Sequence, residues 1–579
     1  MRPPLSRAAC LAVVAAVAAG CGGPGADPGT AGEADLVLRG GRVVTVAASP
    51  VAAEAVAVQG SRIAAVGSNA EIDAWVGPAT RVIELEGRLL VPGFIEGHGH
   101  FLGLGEALTI LDLTTAQSWD EIVARVAAAA EAAAPGEWIR GRGWHQEKWS
   151  RTPEPAVEGA PVHASLSAVS PDNPVLLTHA SGHAAFANAR ALALAGLDRD
   201  SADPQGGELV RDGAGELTGL LRESAQREVG AAFAAARGNR SEEALRAERR
   251  RLVELAAAEA LRHGVTSFQD AGSSFAVVEL LRDLEDERAL PLRLYVMLRP
   301  SDEDLADPGL GQRLAAVRSV AGDDDYLAVR AIKQVVDGAL GSHGAWLLEP
   351  YADLARSSGL NLQPLESLRR LAELALEHGY QLNTHAIGDR ANREMLDLYE
   401  AVARGRTDLR WRIEHAQHLH PDDVPRFARL GVIASMQGVH CTSDGPWVLR
   451  RLGEERARNG AYLWRSLLDS GAIVVNGTDV PVEDIDPIAS FHASVTRRQA
   501  NGEAFFPAQR MTREEALRSY TAAAAYAAFE EDRKGSIEAG KLADLVVLSR
   551  DILAVPEDEI RDARADLTIV GGVVRYDAR

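Results

Sequence analysis

Between residues 89 and 479, short apolar runs bounded by turn residues alternate with longer Ala- and Leu-rich stretches of helical character. The runs are LLVPGFIEGH (89–98), GVTSFQDA (264–271), LRLYVML (292–298), YLAVRAIKQVV (326–336), YQLNTHA (380–386), RIEHAQ (412–417), VIASMQG (432–438) and AIVVNGTD (472–479). Apolar runs spaced by helical segments are the pattern of a parallel sheet wrapped by helices. Eight such units predict a TIM (β/α)8 barrel, with its chemistry at the C-terminal ends of the strands. The stretch from about 101 to 263 is too long for one strand-to-helix connection, and predicts an inserted α/β subdomain. Its helices include SWDEIVARVAAAAEAAA, with Ser118 as N-cap.

Both ends of the chain have a different texture. DLVLRGGRVVTV, EAVAVQGSRIAAVG and TRVIELEGRLLVPG lie between 35 and 93, and SIEAGKLADLVVLSRD and DLTIVGGVVRYD lie between 536 and 577. Neither group has enough strands to close a core alone. Residues 35–90 and 530–579 are therefore expected to form one small β-sandwich, with the barrel at 91–529.

At 579 residues the chain exceeds one compact domain. Its 61 Lys+Arg against 82 Asp+Glu give a net charge of -21, which argues against a nucleic-acid binder and for a well-solvated surface. Residues 1–21 combine a basic start (Arg2, Arg7), an apolar segment from Ala8 to Gly20 and small residues before Cys21. That run is too short to span a bilayer as a mature helix and reads as a bacterial export signal. It resembles a lipoprotein signal, which implies export with a lipid anchor at Cys21 in the cell envelope. Ala18 stands where such signals more often carry Leu, which leaves ordinary secretion open. Residues 22–34 read as a flexible tether. Cys441 then stands alone, so no disulfide framework is expected.

Chemistry-bearing residues gather at the predicted strand ends. His98 and His100 close the first strand, where positions i and i+2 share a face and two imidazoles can grip one cation. Lys333 lies in the fourth strand, His385 ends the fifth, His415 the sixth and Asp479 the eighth. The period of two puts Gln381, Asn383 and His385 on one face and sets Val475, Gly477 and Asp479 together, with Gly477 leaving room near a ligand. Four histidines and an aspartate converging on one rim point to a metal site.

The chain resembles the amidohydrolase superfamily, and within it the amidohydrolase-3 or YtcJ-like group. The carriers are LVPGFIEGHGHF, SGHAAFANARAL, GGELVRDGAGELTGLL, IKQVVDGALGSHGAW, THAIGDRA, RIEHAQ, SMQGVH, NGTDVPV and KGSIEAGKLADLVVL, spread over nearly all of the mature chain. The resemblance implies two divalent metal ions, one held by His98, His100 and Asp479 and one by His385 and His415, with a carboxylated Lys333 bridging them. A mixture of imidazole and carboxylate oxygen suits Zn²⁺ best, while Mn²⁺, Fe²⁺ and Co²⁺ also fit. The implied reaction is hydrolysis of a C–N bond in an amide, cyclic amide or N-formyl/N-acyl group by metal-activated hydroxide, with Asp479 moving the proton.

His183 and His440 match positions where the family often keeps a His, and are candidates for binding the small-molecule substrate or steadying an oxyanion. Their alternative is loop hydrogen bonding. Trp144 is a candidate for lining the pocket, against packing inside the insert. His145 stands where relatives often carry Asp, and His179, Asp270 and Asp389 are further candidates, Asp389 with N-capping as its alternative. Two other readings stay open. One is a mononuclear deaminase of the same fold, against which Lys333 speaks. The other is a lipoprotein that binds ligands without turning them over, against which the intact ligand set speaks.

Overall fold

The eight apolar runs pair side by side in chain order. The computed structural model describes residues 32–49, 52–238, 240–322 and 325–579. The export signal and most of the 22–34 tether lie outside the described residues. The barrel strands are β1 (Phe94–Gly99), β2 (Val265–Ser273), β3 (Arg293–Leu298), β4 (Leu327–Val335), β5 (Gln381–Ala386), β6 (Arg412–His415), β7 (Ile433–Gln437) and β8 (Val474–Gly477). They form one sheet of order β1 to β8, and every neighbouring pair is parallel.

Closure comes just beyond the strand ends. The Asp479 N–H donates to His98 O at 2.8 Å and the His100 N–H to Val480 O at 2.7 Å. Two glycines permit the approach. A Cβ on Gly97 would meet Val475 Cγ1 at 2.5 Å, and one on Gly477 would stand 2.5 Å from Glu96 Oε1 and 2.6 Å from His98 N. The room at Gly477 is thus filled by β1 and not by a ligand, which corrects the sequence expectation for that residue.

Inside the barrel a polar layer underlies the strand ends. Arg412 donates to Gln269 Oε1 at 2.5 Å and to Ala527 O at 2.7 Å, while Gln381 donates to Ala527 O at 2.8 Å. Ala527 is the last residue of the helix Ala522–Ala527. Its unpaired terminal carbonyl is a ready acceptor for a buried cation.

The first run is split. Leu89–Pro92 leaves the barrel and pairs antiparallel with Leu545–Leu548. The break falls at Gly93, whose N–H donates to Asp544 O at 2.9 Å. Leu89–Pro92 belongs to a five-stranded sheet with Arg42–Val43, Leu545–Leu548, Ala565–Val570 and Val573–Asp577. This sheet shares one apolar core with a four-stranded sheet of Leu36–Arg39, Ala55–Gln59, Arg62–Gly67 and Arg81–Glu84. Strands from both chain ends therefore build it.

Within the long gap, a six-stranded sheet is built from segments between Leu111 and Glu223. It has apolar clusters of its own around Trp119, Val126 and Phe186 and around Leu192 and Leu209. Ser118 caps the helix Trp119–Ala132 by accepting from Glu121 N. The flanking helices Phe101–Ala107 and Glu242–Arg262 instead bury Leu104, Val253 and Leu261 in the barrel core. They are the barrel's own connection, so the inserted sheet is shorter than the expected 101–263. It faces the barrel mouth with Arg142 on the strand Ile139–Trp144, Glu223 at the end of the strand Leu217–Glu223, and His183 in the loop before Ala184–Ala187.

Candidate metal centre

The ends of β1, β4, β5 and β6 and the residue just past β8 bring their side chains to a common point. His98, next to last in β1, is fully buried, and its Nδ1 lies 2.6 Å from Glu414 Oε2 on β6. A carboxylate on one ring nitrogen turns the other nitrogen inward. His98 Nε2 accordingly stands 3.2 Å from Lys333 Nζ and 3.5 Å from Asp479 Oδ1. His100 Nε2 approaches the same Oδ1 at 3.2 Å. His415 Nδ1 lies 2.8 Å from Gln437 Oε1 and 4.0 Å from Asp479 Oδ2. The His385 ring sits 4.4 Å from the His415 ring and 5.0 Å from that of His183.

Two of these residues are held in strained backbone. His415 has φ +76° and Asp479 has φ +58°. A side chain in the left-handed region costs about 1–3 kcal/mol, and such residues persist where the surroundings impose them. Here the main-chain bonds that close the barrel hold Asp479 in place.

Burial and mutual charge shape the protonation states. Burial would raise the Asp479 carboxyl, yet the His100 hydrogen bond and the His98 and His415 imidazoles hold it well below the usual carboxylate range. Burial would likewise raise Glu414, but His98 outweighs it and brings the group to about 2. Burial pushes His385 and His415 well below their ordinary value and lowers His98, leaving neutral imidazoles. Burial also brings the Lys333 ammonium down to about 8, against the pull of Glu414 and Asp479.

The donor set fits a divalent cation. His98, His100 and Asp479 form one group whose ligand atoms lie within 4.8 Å of one another, and His415, His440 and Asp479 form a second. His385 Nε2 and His440 Nε2 are buried without a hydrogen-bond partner, and Asp479 Oδ1 faces only the ring nitrogens of His100 and His98, at 3.2 and 3.5 Å. Leaving such atoms unsatisfied costs about 1–3 kcal/mol each, a cost that a bound cation removes. The second group shares His415 with the expected pair of His385 and His415. His440 joins His415 and Asp479, while His385 Nε2 lies 3.5 Å from Asp337 Oδ1.

The outer residues divide. His183 Nδ1 lies 2.7 Å from Glu223 Oε2, and this carboxylate outweighs burial to raise the His183 pKa. Trp144 does not line the site. Its ring packs in the insert core near His179 and Phe186 and its Nε1 donates to Leu177 O at 2.8 Å, because the insert buries its largest side chains in its own core. His145 borders a small pocket of about 50 Å³ that His183, His385, His415, His440 and Asp479 also line. His179 bonds Ser181 Oγ and Gln146 Oε1. Asp270 accepts from the Phe101 N–H and the Ser273 hydroxyl, and Asp389 from the Leu348 and Arg390 N–H groups. Sequence reasoning missed Glu414, Glu223 and Asp337, whose roles arise through space. Asp337 accepts from the main-chain N–H groups of Trp346, Ile387 and Gly388. A cavity of about 940 Å³ opens above His100, Lys333, His385 and Asp479, between the barrel rim and the insert.

Comparison with known proteins decides the family. The model of the family described as "Amidohydrolase family" matches residues 81–576. The chain belongs to the amidohydrolase family. This amidohydrolase is 30% identical to the putative amidohydrolase YtcJ of Bacillus subtilis, over 93% of its own length and 99% of the relative's. It is 31% identical to the N-substituted formamide deformylase of Arthrobacter pascens, over 94% of its length and 98% of the relative's. Among solved structures it resembles an uncharacterized metal-dependent hydrolase from Pyrococcus horikoshii OT3, with a TM-score of 0.70, 26% identity and coverage of 90% and 99% of the two chains. The amidohydrolase is a metal-dependent hydrolase on a TIM-barrel fold, using a divalent metal and acting on a small molecule.

Proposed function

We propose that this amidohydrolase cleaves a C–N bond outside peptide chains, in an amide, cyclic amide or N-formyl/N-acyl group. The observation that carries the reading is Asp479, a buried carboxylate held ionised by the imidazoles around it and set among His98, His100 and His415 under the large cavity. Similarity to an N-substituted formamide deformylase supports the choice of bond. His98, His100 and Asp479 would hold one ion and His385 and His415 a second, with a carboxylated Lys333 as a shared ligand and Zn²⁺ as the expected metal. Bound there, the ions polarise the scissile carbonyl and make water acidic.

The chain's own groups do the rest. Asp479 accepts a proton from the attacking water and returns it to the departing nitrogen. Glu414 keeps His98 in one tautomer. His183, oriented by Glu223, donates toward the carbonyl oxygen as negative charge grows on it. His440, in the small pocket it lines together with His183, contacts the substrate as well.

Metal analysis of purified protein, coupled to an amide, N-formyl and N-acyl panel, tests this reading. Two ions per chain and loss of turnover in Lys333→Ala support it. One ion with activity surviving Lys333→Ala turns it toward a mononuclear deaminase, and absence of turnover across the panel toward a ligand binder. The chain is further proposed to be exported and lipid-anchored at Cys21. Cys21→Ala is then expected to move it from the membrane fraction to the soluble fraction.

A further inference from the structure

The wall of the large cavity carries positive charge that no carboxylate contacts directly. Most charged residues there are paired: Arg140 with Glu106, Arg227 with Asp302, His183 with Glu223. Arg142 and Arg299 are not. Arg142 spends its hydrogen bonds on two main-chain carbonyls, Nε on Pro481 O and Nη2 on Ala180 O, each at 3.1 Å. No carboxylate lies within ion-pairing distance of either guanidinium, and the Arg299 side chain makes no hydrogen bond among the described residues. Both line the cavity, in a chain whose net charge is -21.

Their placement brackets the reaction centre. Arg142 lies on the side of Asp479, held against the carbonyl of Pro481 two residues farther on. Arg299 follows β3, its main chain anchored to Ser273 O at 2.8 Å, and its stem crosses Gly272 beside that of Lys333. A Cβ at Gly272 would lie 3.3 Å from Arg299 Cδ and 3.9 Å from Lys333 Cγ, so the missing side chain gives both stems their path. Burial, with Arg227 near, lowers the Arg299 pKa against the pull of Asp302, as burial lowers that of Arg142 to about 10 against Asp479 and Glu106. A desolvated guanidinium without an anion is costly to keep, and its planar fork matches a carboxylate in a bidentate pair.

We propose that Arg299, assisted by Arg142, binds a carboxylate on the substrate, so that the natural substrates are N-acylated amino acids or related amides carrying a carboxylate. This rests on the C–N hydrolase reading, and places the acidic fragment in the 940 Å³ cavity. The two arginines then set specificity and take no part in bond cleavage.

The test pairs N-formyl- and N-acetyl-amino acids with the N-acyl derivatives of the corresponding decarboxylated amines, on metal-loaded wild type, Arg299→Met and Arg299→Lys. Wild type should prefer the acidic member by about tenfold or more in kcat/KM, as expected for a hydrogen bond to a charged group. Arg299→Met should erase that preference through KM, leaving kcat, metal content and the neutral substrate unchanged, and Arg299→Lys should restore part of it. Absence of a preference in wild type overturns the proposal. So does an Arg299→Met variant that loses both substrates equally or sheds metal, which would make Arg299 a partner of Lys333 instead. If no amide is cleaved, the C–N reading fails and benzoate binding by calorimetry decides: binding to wild type that Arg299→Met abolishes upholds the carboxylate site, and equal or absent binding overturns it.

Discussion

His98 takes its orientation from a residue 316 positions away, Glu414, and that dependence can be measured. Glu414→Gln keeps the shape but removes the charge that fixes the ring, so metal affinity, read by chelator competition, should fall roughly 10- to 100-fold. Asp479→Asn should lower kcat roughly 10²–10⁴-fold, the range of a lost proton carrier, which steady-state assays on protein of matched metal content would show. The imidazoles were legible because His at a strand end stands out in an apolar run. Glu414 was not, although it adjoins His415 in RIEH, because nothing local says that its carboxylate crosses to β1. Trp144 misled for the opposite reason: its neighbours in GRGWHQEKW look like a pocket rim, while its ring belongs to the core of the insert.

At the scale of elements, the eight strands could be counted from the chain because each is apolar over most of its length and ends in a turn. Their limits could not. LLVPGFIEGH reads as one run, yet Gly93 hands its first half to the terminal sheets and its second to the barrel. Asp479 likewise reads as the end of β8, but lies past it, in left-handed backbone that a period of two does not foresee. The closeness of β1 and β8 gives a test. Gly97→Ala drives a methyl against Val475 and the Asn476 carbonyl, and should destabilise the protein by about 1–3 kcal/mol in urea unfolding.

The whole molecule joins its terminal sheets to the barrel through buried charge. Arg293 at the start of β3 donates to Asp544 Oδ2 at 2.7 Å, and the Asp544 main-chain carbonyl accepts from Gly93. Arg293→Met leaves a buried carboxylate unpaired, so about 3–5 kcal/mol of stability should be lost while kcat per folded molecule holds. That the two ends make one unit was legible from strand count alone, and the ion pair that couples them to the barrel was not. Metal removal acts at the same scale. Dialysis against a chelator should lower the melting temperature and Zn²⁺ should restore it, since free metal at 100 times its Kd adds about 2.7 kcal/mol.

The seam between β1 and β8 also orders events in time. Glu96 accepts from Thr478 N across 382 positions, and His98 and Asp479 meet only when that seam shuts. A ribosome that has released seven strands has already made every histidine of the centre, but not the acid that gathers them. The ligand set is therefore assembled only where nearly the whole barrel exists.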